Sequence, residues 1–125
     1  MASLARARWE PFEGGRSIGL IGSEGGEIVL DESYIDGARI TLEVVSHPRF
    51  LRRPRISFAI TCGIVGWMVH TRFFTSRPEA FDEFQMMKLG LSAIVEKLSL
   101  ESDSDLERLM EVVPPELHVF ISKFP

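Results

Sequence analysis

From Ile56 to Thr71 the chain carries no Asp, Glu, Lys or Arg, and this run limits the possible folds more than any other segment. It must be buried, yet Ser57, Thr61, Gly63, Gly66 and His70 interrupt it, and it falls short of the ~20 apolar residues that a membrane helix requires. Buried sheet is the consistent reading. One straight strand is excluded, because Ile56 to Phe74 at ~3.3 Å per residue would extend ~60 Å, whereas a domain of this length has a radius of gyration of ~14 Å. The chain therefore turns, and Gly63 and Gly66 mark the place. An even-numbered loop there puts Ile56, Phe58 and Ile60 on the core face with Val65, Trp67 and Val69. Ser57, Ala59 and Thr61 then share the other face with Met68, His70 and Arg72.

A hairpin precedes this run. Glu27 to Tyr34 and Ala38 to Val45 flank Asp36-Gly37, a turn signal between two alternating segments. A two-residue loop would set Leu42 opposite Asp31. A three-residue loop of Ile35, Asp36 and Gly37 pairs Leu30 with Leu42 and Ile28 with Val44, and it calls for a left-handed Gly37. On that register Ile28, Leu30, Ile40, Leu42 and Val44 face the core, while Asp31, Ser33, Arg39, Thr41 and Glu43 face away. Upstream, Ser17 to Ile21 reads as a short strand and Gly22 to Gly26 as a turn. Residues 1–15 have weak periodicity and are expected to be loosely ordered.

Two helices follow. Ser76-Arg77-Pro78-Glu79 is a capping box with proline in the first turn. Phe81, Phe84, Met87, Leu91, Ile94 or Val95, and Leu98 then recur at helical spacing. Gly90 lies inside this helix at a cost of ~1 kcal/mol relative to alanine, which predicts a close approach to the sheet. Ser104-Asp105-Leu106-Glu107 opens a second helix, with Pro114-Pro115 as its expected end. The tail 116–124 fits either a strand or a helix. The chain is thus expected to be one α+β domain over 1–125, an antiparallel meander of four or five strands with two amphipathic helices on one face, Trp67 and Phe84 lying between the layers. This order of elements is similar to the general plan of many small bacterial proteins, immunity and inhibitor proteins among them, by fold analogy alone.

With 45% hydrophobic and 26% charged residues, the 125-residue chain has an ordinary globular composition. The single Cys62 permits no internal disulfide, and a free thiol suits a reducing cytoplasm, the expected location. Met1-Ala2-Ser3-Leu4-Ala5-Arg6 lacks the apolar core of a secretory signal. A net charge of −4 argues against nucleic acid as a partner. Positive charge nevertheless gathers between His47 and Arg55, while the chain from Glu79 to Glu116 is mostly acidic.

Chemical motifs are sparse. Gly19-Leu20-Ile21-Gly22-Ser23-Glu24 resembles a dinucleotide loop, but Glu24 stands where a third glycine belongs and no helix follows to receive phosphate charge. Three histidines and one cysteine without close spacing predict no metal, and no cofactor is expected. The uncharged neighbours of Cys62 argue for a structural thiol. If the alternation across the apolar run holds, Ser57, His70, Arg72, Arg39 and Glu43 gather on the outer face, where they would form a candidate ligand or acid–base patch. Arg49, Phe50, Arg52, Arg53 and Arg55 combine guanidinium and aromatic anchors, the composition of a partner-binding segment. No catalytic residue is assigned. The leading expectation is a protein-interaction module that self-associates, most simply as a homodimer. The alternative is a small-molecule binder or enzyme working from the patch around His70.

Overall fold

The computed structural model describes residues 9–35, 37–46, 56–101 and 106–125, without the side chains of 99–101, 106 and 107. Five strands form one antiparallel meander in chain order: β1 (Trp9–Pro11), β2 (Glu27–Tyr34), β3 (Ala38–Ser46), β4 (Ile56–Ile64) and β5 (Met68–Phe74). Helices α1 (Arg77–Glu101) and α2 (Leu106–Lys123) cover one face, giving the expected α+β architecture. The core between the layers holds Tyr34, Ile40, Leu42, Phe58, Ile60, Cys62 and Ile64 from the sheet, with Phe84, Met87, Leu91, Phe120 and Phe124 from the helical half.

The β2–β3 hairpin has the expected loop, since Tyr34 pairs with Ala38 and Leu30 with Leu42. Two details differ. The positive φ described in the loop belongs to Ile35, at 49°, and Gly37 matters for space, because a Cβ there would lie 3.1 Å from Val95 of α1. A bulge at Val29 then shifts the register, so Ile28 pairs with Glu43 rather than Val44. One extra residue reverses the alternation. Ile28 therefore turns to the outer face, where it is still buried.

The same physics overturns the facing expected for β5. Ile64 pairs with Met68, which leaves a three-residue turn, Val65-Gly66-Trp67, with Gly66 at φ 81°. An odd loop inverts the alternation. Met68, His70, Arg72 and Phe74 consequently share the helix face with Phe58, Ile60 and Cys62, while Val69, Thr71 and Phe73 look outward. Val65 and Val69, expected in the core, are 77% and 80% exposed. Trp67 sits half-buried in the turn, while Phe84 is fully buried as expected.

Ser76 caps α1, its Oγ accepting from the Glu79 N–H at 3.4 Å. Gly90 does mark a close approach, but to α2 and not to the sheet, for a Cβ there would meet the Phe120 ring at 3.0 Å. Pro114 and Pro115 do not end α2, which runs on to Lys123. The two prolines remove N–H donors, yet Val113, Phe120 and Phe124 are buried at helical spacing on one side of the element, so burial against α1 outweighs the lost bonds. The capping residues Ser104 and Asp105 lie outside the described residues.

The N-terminal part departs most from expectation. Trp9–Pro11 pairs with β2, and Trp9 packs on Tyr34 with ring centroids 5.2 Å apart. Residues 17–21 form turns and not a strand, joined to β2 by an isolated bridge between Ile21 and Glu27.

Candidate functional site

The outer face of the sheet, expected to be open and polar, is partly roofed by the segment 12–26. Two buried carboxylates hold that segment down. Asp31 accepts the Ser17 hydroxyl at 2.6 Å and a two-pronged contact from Arg39, Nε at 2.9 Å and Nη2 at 2.6 Å. The Arg39 guanidinium stacks 3.6 Å from the centre of the Phe12 ring. Hydrogen bonding to Asp31 raises the guanidinium pKa further, against the opposing effect of partial burial. Glu43 is completely buried, and its Oε1 accepts the backbone N–H groups of Glu24 (3.0 Å) and Gly26 (2.9 Å). The absence of a side chain at Gly22 makes room for it, because a Cβ there would fall 2.5 Å from Glu43 Oε2. Glu43 Oε2 has no hydrogen-bond partner among the described residues.

The patch anticipated from sequence is therefore split between two faces. Arg39, Glu43 and Ser57 do lie on the outer face, and Ser57 is buried. His70 and Arg72 lie on the helix face and bind the end of the chain. The Nε2 of His70 is 2.6 Å from the Phe124 carbonyl oxygen. Arg72 donates to the Pro125 oxygen at 3.0 Å and to Glu83 at 2.8 Å, with its guanidinium near the rings of Phe74 and Phe124. These bonds fasten Phe124 and Pro125 to β5, and neither side chain lines the groove or the hollow described next. Arg49, Phe50, Arg52, Arg53 and Arg55 lie outside the described residues.

An open groove of about 1020 Å³ does exist, at the end of the sheet where both hairpins turn. One wall is the segment from Glu10 to Gly14, the other the β4–β5 turn with Val65, Gly66 and Trp67, and Arg39 lies between them. The two turns are tied together by the Val65 N–H donating to the Gly37 carbonyl at 3.0 Å. A smaller hollow of about 330 Å³ lies beside it, sharing Arg39, Gly63 and Val69 and adding Ser23, Thr41 and Thr61. Apolar side chains stand on the rims, Val65 and Val69 at the groove and Ile21, 73% exposed, at the hollow, while Phe73, 59% exposed, lies farther along β5 beyond both. Sequence reasoning missed this groove because it placed Val65, Trp67 and Val69 inside. The signal was Gly66, which suits the third position of the turn from Ile64 to Trp67, closed by the Trp67 N–H on the Ile64 carbonyl at 2.9 Å.

The groove holds few groups suited to covalent chemistry. Cys62 borders the smaller hollow, but burial pushes its thiol up to about 12 against a weaker opposing effect of Arg72, so it is not a thiolate at neutral pH. Among the described residues no three His, Cys, Asp or Glu side chains cluster to hold a metal, and no helix is long and apolar enough to cross a membrane. No protein-family model, curated protein or solved structure matches the chain.

Proposed function

We propose that this protein is a non-enzymatic protein-interaction module that self-associates, and that its contact surface is the groove and the outward side of the β4–β5 hairpin. The observation that carries this reading is the exposure of Val65 and Val69 at the groove, continued along the outward side of β5 by Phe73. Large apolar side chains grouped in this way on a surface are characteristic of sites covered by a partner. The polar side chains nearby, Asp31, Arg39 and Glu43, are engaged in holding the 12–26 segment, which argues against acid–base work there. The basic segment His47 to Arg55 supplies a second candidate contact on sequence grounds, with a protein partner favoured over nucleic acid by the net charge of −4.

The experiment is mild cross-linking of the tagged protein in its own cell, compared with Val65→Asp. The expected result is one or more protein species retained by the wild type and lost by the variant. Retention of no protein above the variant background, together with a small-molecule adduct in native mass spectrometry, would replace this reading. The alternative is a small-molecule binder, favoured by the size of the groove, which is that of ligand pockets of ~300–1,000 Å³.

A further inference from the structure

We infer that β5 is a docking edge for a second copy of this chain, with two β5 strands pairing antiparallel about a two-fold axis through Thr71. The inference rests on the interaction-module reading and names its partner.

The two edges of the sheet are built differently. β1 is three residues long and ends in Pro11, a short edge closed by a residue that cannot donate a ladder hydrogen bond. β5 is seven residues, Met68-Val69-His70-Thr71-Arg72-Phe73-Phe74, and among the described residues it pairs with β4 alone. Every second residue of such an edge directs its N–H and C=O away from the sheet. Among the described residues β5 carries no proline, lysine or bulge, and its one inward-pointing charge, Arg72, is paired with Glu83. Its imidazole and guanidinium side chains, His70 and Arg72, are held on the helix face by Phe124, Pro125 and Glu83. What remains toward the outer face is Val69, Thr71 and Phe73.

That sequence is self-complementary. In an antiparallel pair centred on Thr71, Val69 of one copy lies opposite Phe73 of the other and Thr71 opposite itself. Aliphatic–aromatic cross-strand pairs of this kind stabilise sheets, and the outward-facing backbone groups gain partners on both strands. The contact is modest in area. Seven residues make an edge ~24 Å long, well short by itself of the ~800 Å² per partner of a standard interface. The dimer is consequently weak and reversible, and forms at high micromolar concentration.

Sedimentation equilibrium from ~10 µM to ~1 mM covers the range of a weak complex. The wild-type mass should climb from 14.1 kDa toward twice that value. Val69→Lys and Phe73→Glu, both at exposed positions, should each stay monomeric while keeping the wild-type circular dichroism spectrum. In this register the double variant places the introduced lysine of one copy opposite the introduced glutamate of the other, and it should bind at least tenfold more tightly than either single variant. A wild type at 14.1 kDa throughout overturns the proposal, as does a dimer that Val69→Lys leaves intact. Loss without rescue in the double variant overturns the two-fold register. A monomeric wild type that still captures a different protein in the cell would remove the second copy as occupant, and self-association with it, and leave a module for another protein.

Discussion

Removing the Arg39 guanidinium is the sharpest test of whether the outer face is a roofed, structural surface. In Arg39→Met the aliphatic stem is largely kept, while both hydrogen bonds to Asp31 and the stacking of the guanidinium on Phe12 are lost. The Asp31 side chain is fully buried, whereas that of Arg39 is 45% exposed. Deleting one partner of a fully buried ion pair costs ~3–5 kcal/mol because the remaining charge is stranded. Here water can enter the space the guanidinium leaves, and Ser17 continues to donate at 2.6 Å. The expected loss is therefore ~2–3 kcal/mol, below the range for a fully buried pair. At ~3–5 °C per kcal/mol for a chain of this size, the Tm should fall by roughly 10 °C. Adding Asp31→Asn should recover part of the loss by removing the stranded charge, so that the two substitutions are strongly non-additive. Amide exchange should show the loss concentrated at residues 17–26. A loss under ~0.5 kcal/mol would be that of a solvated surface substitution, and would refute the claim that Asp31 and Arg39 hold the N-terminal segment over the sheet.

Gly26→Ala should destabilise by ~1–3 kcal/mol in a urea melt, at the upper end for overpacking, because the new Cβ would lie 2.6 Å from the Val44 carbonyl oxygen, which cannot rotate aside; an unchanged midpoint would contradict the close approach. Phe84→Ala should cost ~3–5 kcal/mol, and Trp67→Ala, at a half-buried turn position, about half as much; equal losses would return Trp67 to the core. Stability should also decline between about pH 9 and 12. Burial raises Cys62 from 9.0 to about 12, and burial with the Glu96 hydrogen bond raises Tyr34 from 10.0 to about 12. Below pH 9 both groups are protonated whether the chain is folded or not, and their contribution is fully present. As pH rises further, the unfolded chain releases these protons first and is favoured, so the contribution is lost through the folded pKa. Urea midpoints at successive pH values should fall more steeply for the wild type than for Cys62→Ala with Tyr34→Phe, and equal slopes would count against the burial of these groups.

The sequence alone determined the elements whose signals are local. Asp36-Gly37 between two alternating segments specifies the β2–β3 hairpin and its Leu30–Leu42 register, and Ser76 to Glu79 begins α1. The charge-free run from Ile56 to Thr71 correctly implied sheet, but only its β4 half is buried, since β5 forms the edge with Val69 exposed. Tertiary structure decided the rest, because the facing of a strand depends on the parity of the preceding turn and on any bulge, and one residue reverses every side chain beyond it. The three-residue turn at Val65-Gly66-Trp67 carried His70 and Arg72 to the helix face and Val69 and Phe73 outward, dividing the expected ligand patch and leaving an apolar outward stripe on β5. The bulge at Val29 did the same to Ile28. Pro114 and Pro115 lie inside α2 because burial of Val113, Phe120 and Phe124 outweighs a local propensity. The closure of the outer face was legible least of all: Glu43 meets the N–H groups of Glu24 and Gly26, and Asp31 meets Ser17, only when segments 14 to 19 residues apart in sequence fold together, and no periodicity within either segment reports that contact.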